Sequence, residues 1–192
     1  MPVIVGIDEA GRGAWAGPVV AALCRLDPNR PIAGLMDSKR LSERRREQLY
    51  AEIEAAALSV GIGFASSLEI DSLGILPATF LAMRRALESS GLSPDLAQVD
   101  GPLDPGLGCP TQTIVRGDSL IPAISAASII AKVTRDRWMR EQALAFPDYG
   151  FERHKGYGTT LHQRALAQQG ICALHRRSFA PVSALLKRRG VA

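Results

Sequence analysis

Apolar positions recur along this chain with two different periods, and the switching between them predicts a mixed α/β domain. The first run, Val3-Ile4-Val5-Gly6-Ile7, is largely β-branched and reads as a buried strand. Residues 18–26 form a second apolar run, joined closely enough to the first to pair with it antiparallel. A helix is predicted over 42–57, with Ser42 as N-cap and Leu49 and Ile53 four apart on one face. Alternation returns over 58–65, a third strand whose glycines mark a close approach or a bulge. A short helical turn at about 69–73 precedes a helix opened by Pro77 and stopped by Gly91, with Phe80, Met83 and Leu87 as its apolar stripe. Short apolar strands follow at 96–101 and 111–116. Then comes a long helix over 122–145, whose Ile124, Ala127, Ile130 and Ala131 make a face small enough to pack tightly on a sheet. The last clear helix spans 160–169 and ends at Gly170. Helices separate the third strand from the fourth, so the later strands can lie parallel and gather their carboxyl ends on one side.

Three of these strands run into acids. The first reaches Asp8 and Glu9, the fourth ends at Asp100, and the fifth delivers Asp118. Neighbouring strand side chains point to opposite faces, so Asp8 and Glu9 converge only if the strand stops or bulges there. Gly11, Gly13 and Gly17 make such a break cheap and let a ligand approach backbone N–H groups. Carboxylates beside such a turn point to a hard-cation site with a bound substrate; the competing reading is an Asp–Glu turn facing solvent.

Charge sharpens the picture. From Lys132 to the end there are 12 Lys or Arg against 4 Asp or Glu, whereas residues 1–131 hold 11 against 15. That asymmetry suits a polyanion held by the carboxy-terminal third, although solvated Arg-rich helix faces look similar in sequence. Lys39, Lys132, Arg135, Arg140, Lys155, Arg176 and Arg177 are the candidate phosphate contacts, expected at the surface. The stretch 154–159, flanked by glycines, reads as an exposed turn on which Tyr157 could stack against a sugar or base, or else cover the edge of the core. The 192 residues suit one domain, with 150–192 as a helical extension. No apolar run is long enough to span a bilayer, and no signal peptide is visible, so a cytoplasmic protein is expected. Cys24, Cys109 and Cys172 form no Cys-x-x-Cys pair and read as small hydrophobes. His154, His162 and His175 lack the spacing of metal ligands.

Six ordered motifs add a resemblance: Asp8-Glu9-Ala-Gly-Arg-Gly13, Asp37-Ser-Lys39, Val99-Asp100-Gly101, Gly117-Asp118-Ser119, the run 125–136, and His154-Lys-Gly-Tyr-Gly158. Together they resemble bacterial ribonuclease HII from about residue 4 to Pro181. The resemblance implies a ribonuclease H-like mixed five-stranded sheet flanked by helices. It implies cleavage, with Mg²⁺ or Mn²⁺, of the RNA strand of RNA–DNA hybrids and at single ribonucleotides in duplex DNA, leaving 5′-phosphate and 3′-hydroxyl ends. Its metal-binding acids fall on Asp8, Glu9, Asp100 and Asp118. Its 2′-hydroxyl-reading turn falls on Gly11, Arg12 and Gly13, and its sugar-stacking tyrosine on Tyr157; Lys39 joins them as a substrate contact. Where many relatives have Pro and Leu after that turn, this chain has Ala14 and Trp15. Two divalent ions would supply hydroxide and stabilise the leaving 3′-oxygen, with Asp8 bridging, Glu9 and Asp100 on one side and Asp118 on the other or on the water. A monomer is expected. A resolvase on the same fold and a noncatalytic nucleic-acid-binding module remain alternatives.

Overall fold

The computed structural model describes residues 2–35, 41–188 and 190, so Asp37, Ser38 and Lys39 lie outside the described residues. Five strands form one mixed sheet: β1 (Ile4–Ala10), β2 (Val19–Arg25), β3 (Ser59–Ala65), β4 (Leu96–Asp100) and β5 (Thr111–Ile114), in the order β3-β2-β1-β4-β5. β1 pairs antiparallel with β2 and parallel with β4, and β4 pairs parallel with β5. The parallel half therefore gathers the carboxyl ends of β1, β4 and β5 at one edge.

Helices cover both faces. On one side α3 (Ile75–Ser90) lays Ala78, Ala82, Met83 and Ala86 against Val5, Ile7, Val19, Ala21 and Leu23. On the other, α4 (Pro122–Ala145) and α1 (Glu43–Ala56) pack around Ala22 and Cys24 through Leu49, Ile53, Ala127, Ile130 and Ala131. The N-cap of α1 is Ser42, whose hydroxyl accepts from the Arg45 N–H at 3.2 Å. α3 begins two residues before Pro77, because Gly74 breaks the chain between it and α2 (Ser67–Leu73), leaving the proline inside the first turn, where its missing N–H costs nothing.

The glycines of β3 are close approaches, not a bulge. A Cβ on Gly63 would lie 2.1 Å from the Ala82 carbonyl oxygen and one on Gly61 2.0 Å from that of Ala86. β3 can touch the α3 backbone only without side chains there. Gly63→Ala is expected to lower stability by about 1–3 kcal/mol, read from urea unfolding, because the helix must move off the sheet.

A third, smaller core sits on the far end of α4. Met139 and Ala143 meet Ala16, Tyr149, Phe151 and Ala165, drawn from the loop after β1, the 3₁₀ turn Pro147–Tyr149, α5 (Phe151–His154) and α6 (Thr160–Gln169). α7 (Ala180–Arg188) closes the described chain. The carboxy-terminal part is thus anchored to both the long helix and the loop that leaves β1.

Candidate active site

β1 does not stop at its acids, contrary to the expectation from sequence. It runs on to Ala10, with Asp8 opposite Ala22 and Glu9 opposite Ala21. The break belongs to the neighbouring strand, since pairing with β4 ends at Ile7–Val99 and leaves the edge of β1 open beside Asp8 and Glu9. Asp100, the last residue of β4, stands at that opening. After β5, Arg116 takes a left-handed backbone (φ 59°) that turns the chain into a 3₁₀ turn at Gly117–Ser119. The Asp118 N–H donates to Asp100 Oδ1 at 3.4 Å, which ties the third acid segment to the second. All four acids expected from sequence therefore lie at one end of the sheet.

Like charges in a buried place are costly, and the pKa directions show it. Burial, then the charges of Glu9 and Asp100, hold Asp8 well above the usual carboxylate range, against the opposing help of the Ser128 hydroxyl. Glu9 is raised as well, chiefly by burial, although the Arg12 guanidinium 3.2 Å away works against the shift. Among the described residues, the cluster's oxygens are not drawn to ligand distance of a common point. Glu9 Oε1 takes the Arg12 N–H, and Asp8 Oδ1 takes the Glu9 N–H at 2.7 Å. The donor set is nonetheless entirely carboxylate, with no His or Cys in it, and its uncompensated repulsion is what a hard divalent cation relieves.

Beside the acids, Glu9, Gly11, Arg46, Ser128, Lys132 and Tyr157 line a cavity of about 340 Å³. A larger hollow of about 560 Å³ lies under Phe64, Glu69, Arg85 and Trp138, but there Glu69 is already paired with Arg85, which holds its carboxyl down at about 2, and no acids converge. The smaller cavity joins three of the features read from sequence: an acid, the glycine turn and the tyrosine. Lys132 Nζ stands 5.5 Å from the Tyr157 ring centre and is paired with Asp136 at 2.7 Å.

Several basic candidates are not surface groups. Arg135 and Arg176 are completely buried, and Lys155 and His154 nearly so, which corrects the reading of 154–159 as an exposed turn. Arg140 is at the surface but engaged, bonded to Glu43 and Glu47 of α1. Arg177 keeps its side chain in solvent while its backbone N–H donates to Asp71.

Sequence comparison gives this geometry a family. The profile described as Ribonuclease HII matches residues 5–182. The chain belongs to the ribonuclease HII family. It is 57% identical to a ribonuclease HII of Burkholderia mallei over 180 residues, covering 94% of this chain and 84% of that one. With a ribonuclease HII of Polaromonas it shares 54% over 185 residues, 96% and 93% of the two chains. The crystal structure of ribonuclease H2 from Pyrococcus horikoshii OT3 superposes with a TM-score of 0.81 at 25% identity, covering 96% of this chain and 97% of that one.

Within this ribonuclease HII fold, Ser128 is a neighbour of the site that the sequence alone does not single out, while Arg135 and Arg176, expected at the surface as phosphate contacts, are buried instead. Ser128 supports Asp8 from α4. Arg135 sits in the row Ala127, Ala131, Arg135, Met139, Ala143, all buried and four apart, a helical spacing that could have marked it as inward against the surface expectation. No such pattern surrounds Arg176. The histidines form a chain: the Gly156 N–H donates to His154 Nδ1, His162 Nδ1–H to the Tyr157 carbonyl, and the Cys172 N–H to His175 Nδ1. The remaining contact, His162 Nε2 to His175 Nε2 at 3.0 Å, then requires His175 to donate, and His154 Nε2–H donates to the Tyr149 carbonyl at 2.7 Å.

Proposed function

We propose that this chain hydrolyses the RNA strand of RNA–DNA hybrids and cuts duplex DNA on the 5′ side of a single embedded ribonucleotide, leaving 5′-phosphate and 3′-hydroxyl ends. The observation that carries this reading is the convergence of Asp8, Glu9, Asp100 and Asp118 at the sheet end that opens on Gly11 and Tyr157. These four carboxylates are the proposed holders of Mg²⁺ or Mn²⁺, which when bound would supply an acidified water and offset charge at the phosphate. Asp8 is oriented for that task by Ser128 and by the Glu9 N–H. Lys132, paired with Asp136, lies at the cavity rim beside Tyr157. The Gly11-Arg12-Gly13 turn meets the 2′-hydroxyl through its backbone, which makes recognition independent of base. Tyr157 stacks on the sugar that follows, and residues 150–192 form the substrate-binding part. Every acid and both turns come from one chain, so the proposed working unit is a monomer. Among the described residues no helix is long and apolar enough to cross a membrane.

The test is cleavage of a labelled duplex holding one ribonucleotide, with Mg²⁺ or Mn²⁺, beside an all-DNA duplex and a four-way junction. Incision 5′ of the ribonucleotide alone is the expected pattern, and cutting of the junction in its place would favour a resolvase. Tyr157→Ala is expected to slow cutting at the lone ribonucleotide by about tenfold or more, and a long hybrid much less, since loss of one stacking contact is worth about 1–3 kcal/mol. Equal slowing of both substrates would make Tyr157 structural.

A further inference from the structure

Two cations with no hydrogen-bonded carboxylate among the described residues lie beneath the recognition turns. Arg135 and Arg176 are each 0% exposed, and all six of their guanidinium hydrogen bonds end on backbone carbonyls. Arg176 donates to the carbonyls of Gly11 (2.7 Å), Arg12 (2.9 Å) and Gly17 (2.9 Å), reaching back more than 150 residues. Arg135 donates to Ala16 (3.0 Å) and Pro18 (2.9 Å) on the same loop and to Lys155 (2.9 Å) beside the tyrosine turn. Gly11, at φ +96°, rests directly on Arg135: a Cβ there would lie 2.0 Å from its Nε.

The rest of the loop is stitched to the same partners. The Trp15 N–H donates to the Gly156 carbonyl and the Arg176 N–H to the Trp15 carbonyl, both at 2.8 Å. The Trp15 backbone thus ties the loop to both the tyrosine turn and the Arg176 segment. The carbonyl contacts also orient the turn. In a trans peptide the C=O and the next N–H point in opposite directions, and no peptide bond described is cis. With the carbonyls of Gly11 and Arg12 drawn inward to Arg176, the N–H groups of Arg12 and Gly13 face away from it as two successive donors.

We infer that Arg135 and Arg176 are positioning residues for ribonucleotide recognition, locking the Gly11–Gly13 turn and the Tyr157 turn into one rigid reader with its N–H donors outward. This rests on the nuclease reading above. A long hybrid offers many registers, so a loosened reader still finds a productive one. A lone ribonucleotide offers a single register and exposes every misplacement. Lysine in either place keeps a charge but loses the planar fork that spans three carbonyls.

The experiment compares Arg176→Lys, Arg135→Lys and wild type for kcat and KM on the one-ribonucleotide duplex and on a long hybrid, with Tm measured alongside. Gly63→Ala serves as a control destabilised far from the site. The lysine variants are expected to lose about 30-fold or more on the lone ribonucleotide and less than about fivefold on the hybrid, the scale of a turn displaced by roughly 1 Å. Gly63→Ala should move both substrates together. Parallel losses in the lysine variants, or no loss, would overturn the inference while leaving the nuclease reading intact. A wild type inactive on both substrates would instead remove that reading. Should Arg176→Lys fail to fold, Arg135→Lys and Arg176→Gln carry the same comparison; failure of all three to fold would make the clasp a requirement of folding alone and reject the inference.

Discussion

Asp100→Asn is expected to reduce incision at a lone ribonucleotide by on the order of 10³-fold or more, while duplex binding changes by less than about threefold. Asp100 faces both Asp8 and Glu9, and its Oδ1 accepts the Asp118 N–H, so it links every other acid of the cluster. An amide keeps the shape and can still accept that N–H, but it cannot carry the charge a divalent ion needs. An incision assay paired with a gel-shift measurement separates the two effects, and a fully active variant would remove Asp100 from the site. A companion effect follows at Asp8, whose carboxylate is buried against like charges. Asp8→Asn should be inactive yet melt higher than wild type in chelator, with the order narrowing or reversing when Mg²⁺ is added, because the ion stabilises only the full set of carboxylates. A lower Tm in chelator would show that Asp8 is not strained there.

The second large effect is a loss of stability on acidification, set by the histidine chain. Burial, with His154 adding to it, pushes His162 down to about 4, and burial pushes His175 down to about 4 as well. His154 is lowered too, by burial above all. Each ring nitrogen already donates or accepts, and the aromatic rings of Tyr149 and Phe151 surround the chain. A proton added to His162 Nε2 would meet the His175 N–H. Unfolded histidines take up protons near pH 6.5 and these two only near 4, so the unfolded state binds more protons within that window. Stability is therefore full above pH 6.5 and falls steadily toward pH 4, by on the order of 3 kcal/mol or more. Asp8 and Glu9, raised in the folded protein, act in the opposite sense, and the Asp8→Asn background removes the larger of these two opposing contributions. Urea midpoints from pH 7.5 to 4.5 measure it. A flat profile there would mean that the histidines are not held neutral, and activity should fail together with stability, since His162 holds the Tyr157 carbonyl and His175 precedes Arg176.

Most of the architecture was readable because its signals are local. Ser42 caps α1, Pro122 opens α4, Gly91 and Gly170 close their helices, and the expected bounds match the observed ones within a few residues. The acids stand out for a different reason: carboxylates that follow directly on apolar stretches violate the hydrophobic pattern. How Asp8 and Glu9 share that site was not readable, because the strand that stops is β4, and pairing partners are invisible to local periodicity. The basic residues divide: Arg140 and Arg177 lie at the surface as the sequence suggests, whereas Arg135, Lys155 and Arg176 are buried. Arg176 looks like surface charge in sequence, and only the fold reveals that the carbonyls of Gly11, Arg12 and Gly17 take donors from below. For Arg135 a signal exists in the sequence, the inward row it shares on α4, but the surface expectation passes over it.

Nuclease activity of the proposed kind requires four carboxylates from separate parts of the chain to serve as one divalent-ion site. Anomalous diffraction from crystals soaked in MnCl₂ addresses this most directly. Manganese is expected within about 2.0–2.4 Å of carboxylate oxygens of Asp8, Glu9, Asp100 and Asp118, after small rotations of side chains now turned to Arg12 and to backbone N–H groups. Strong manganese peaks elsewhere on the molecule, with none touching these four residues at saturating ion, would contradict it.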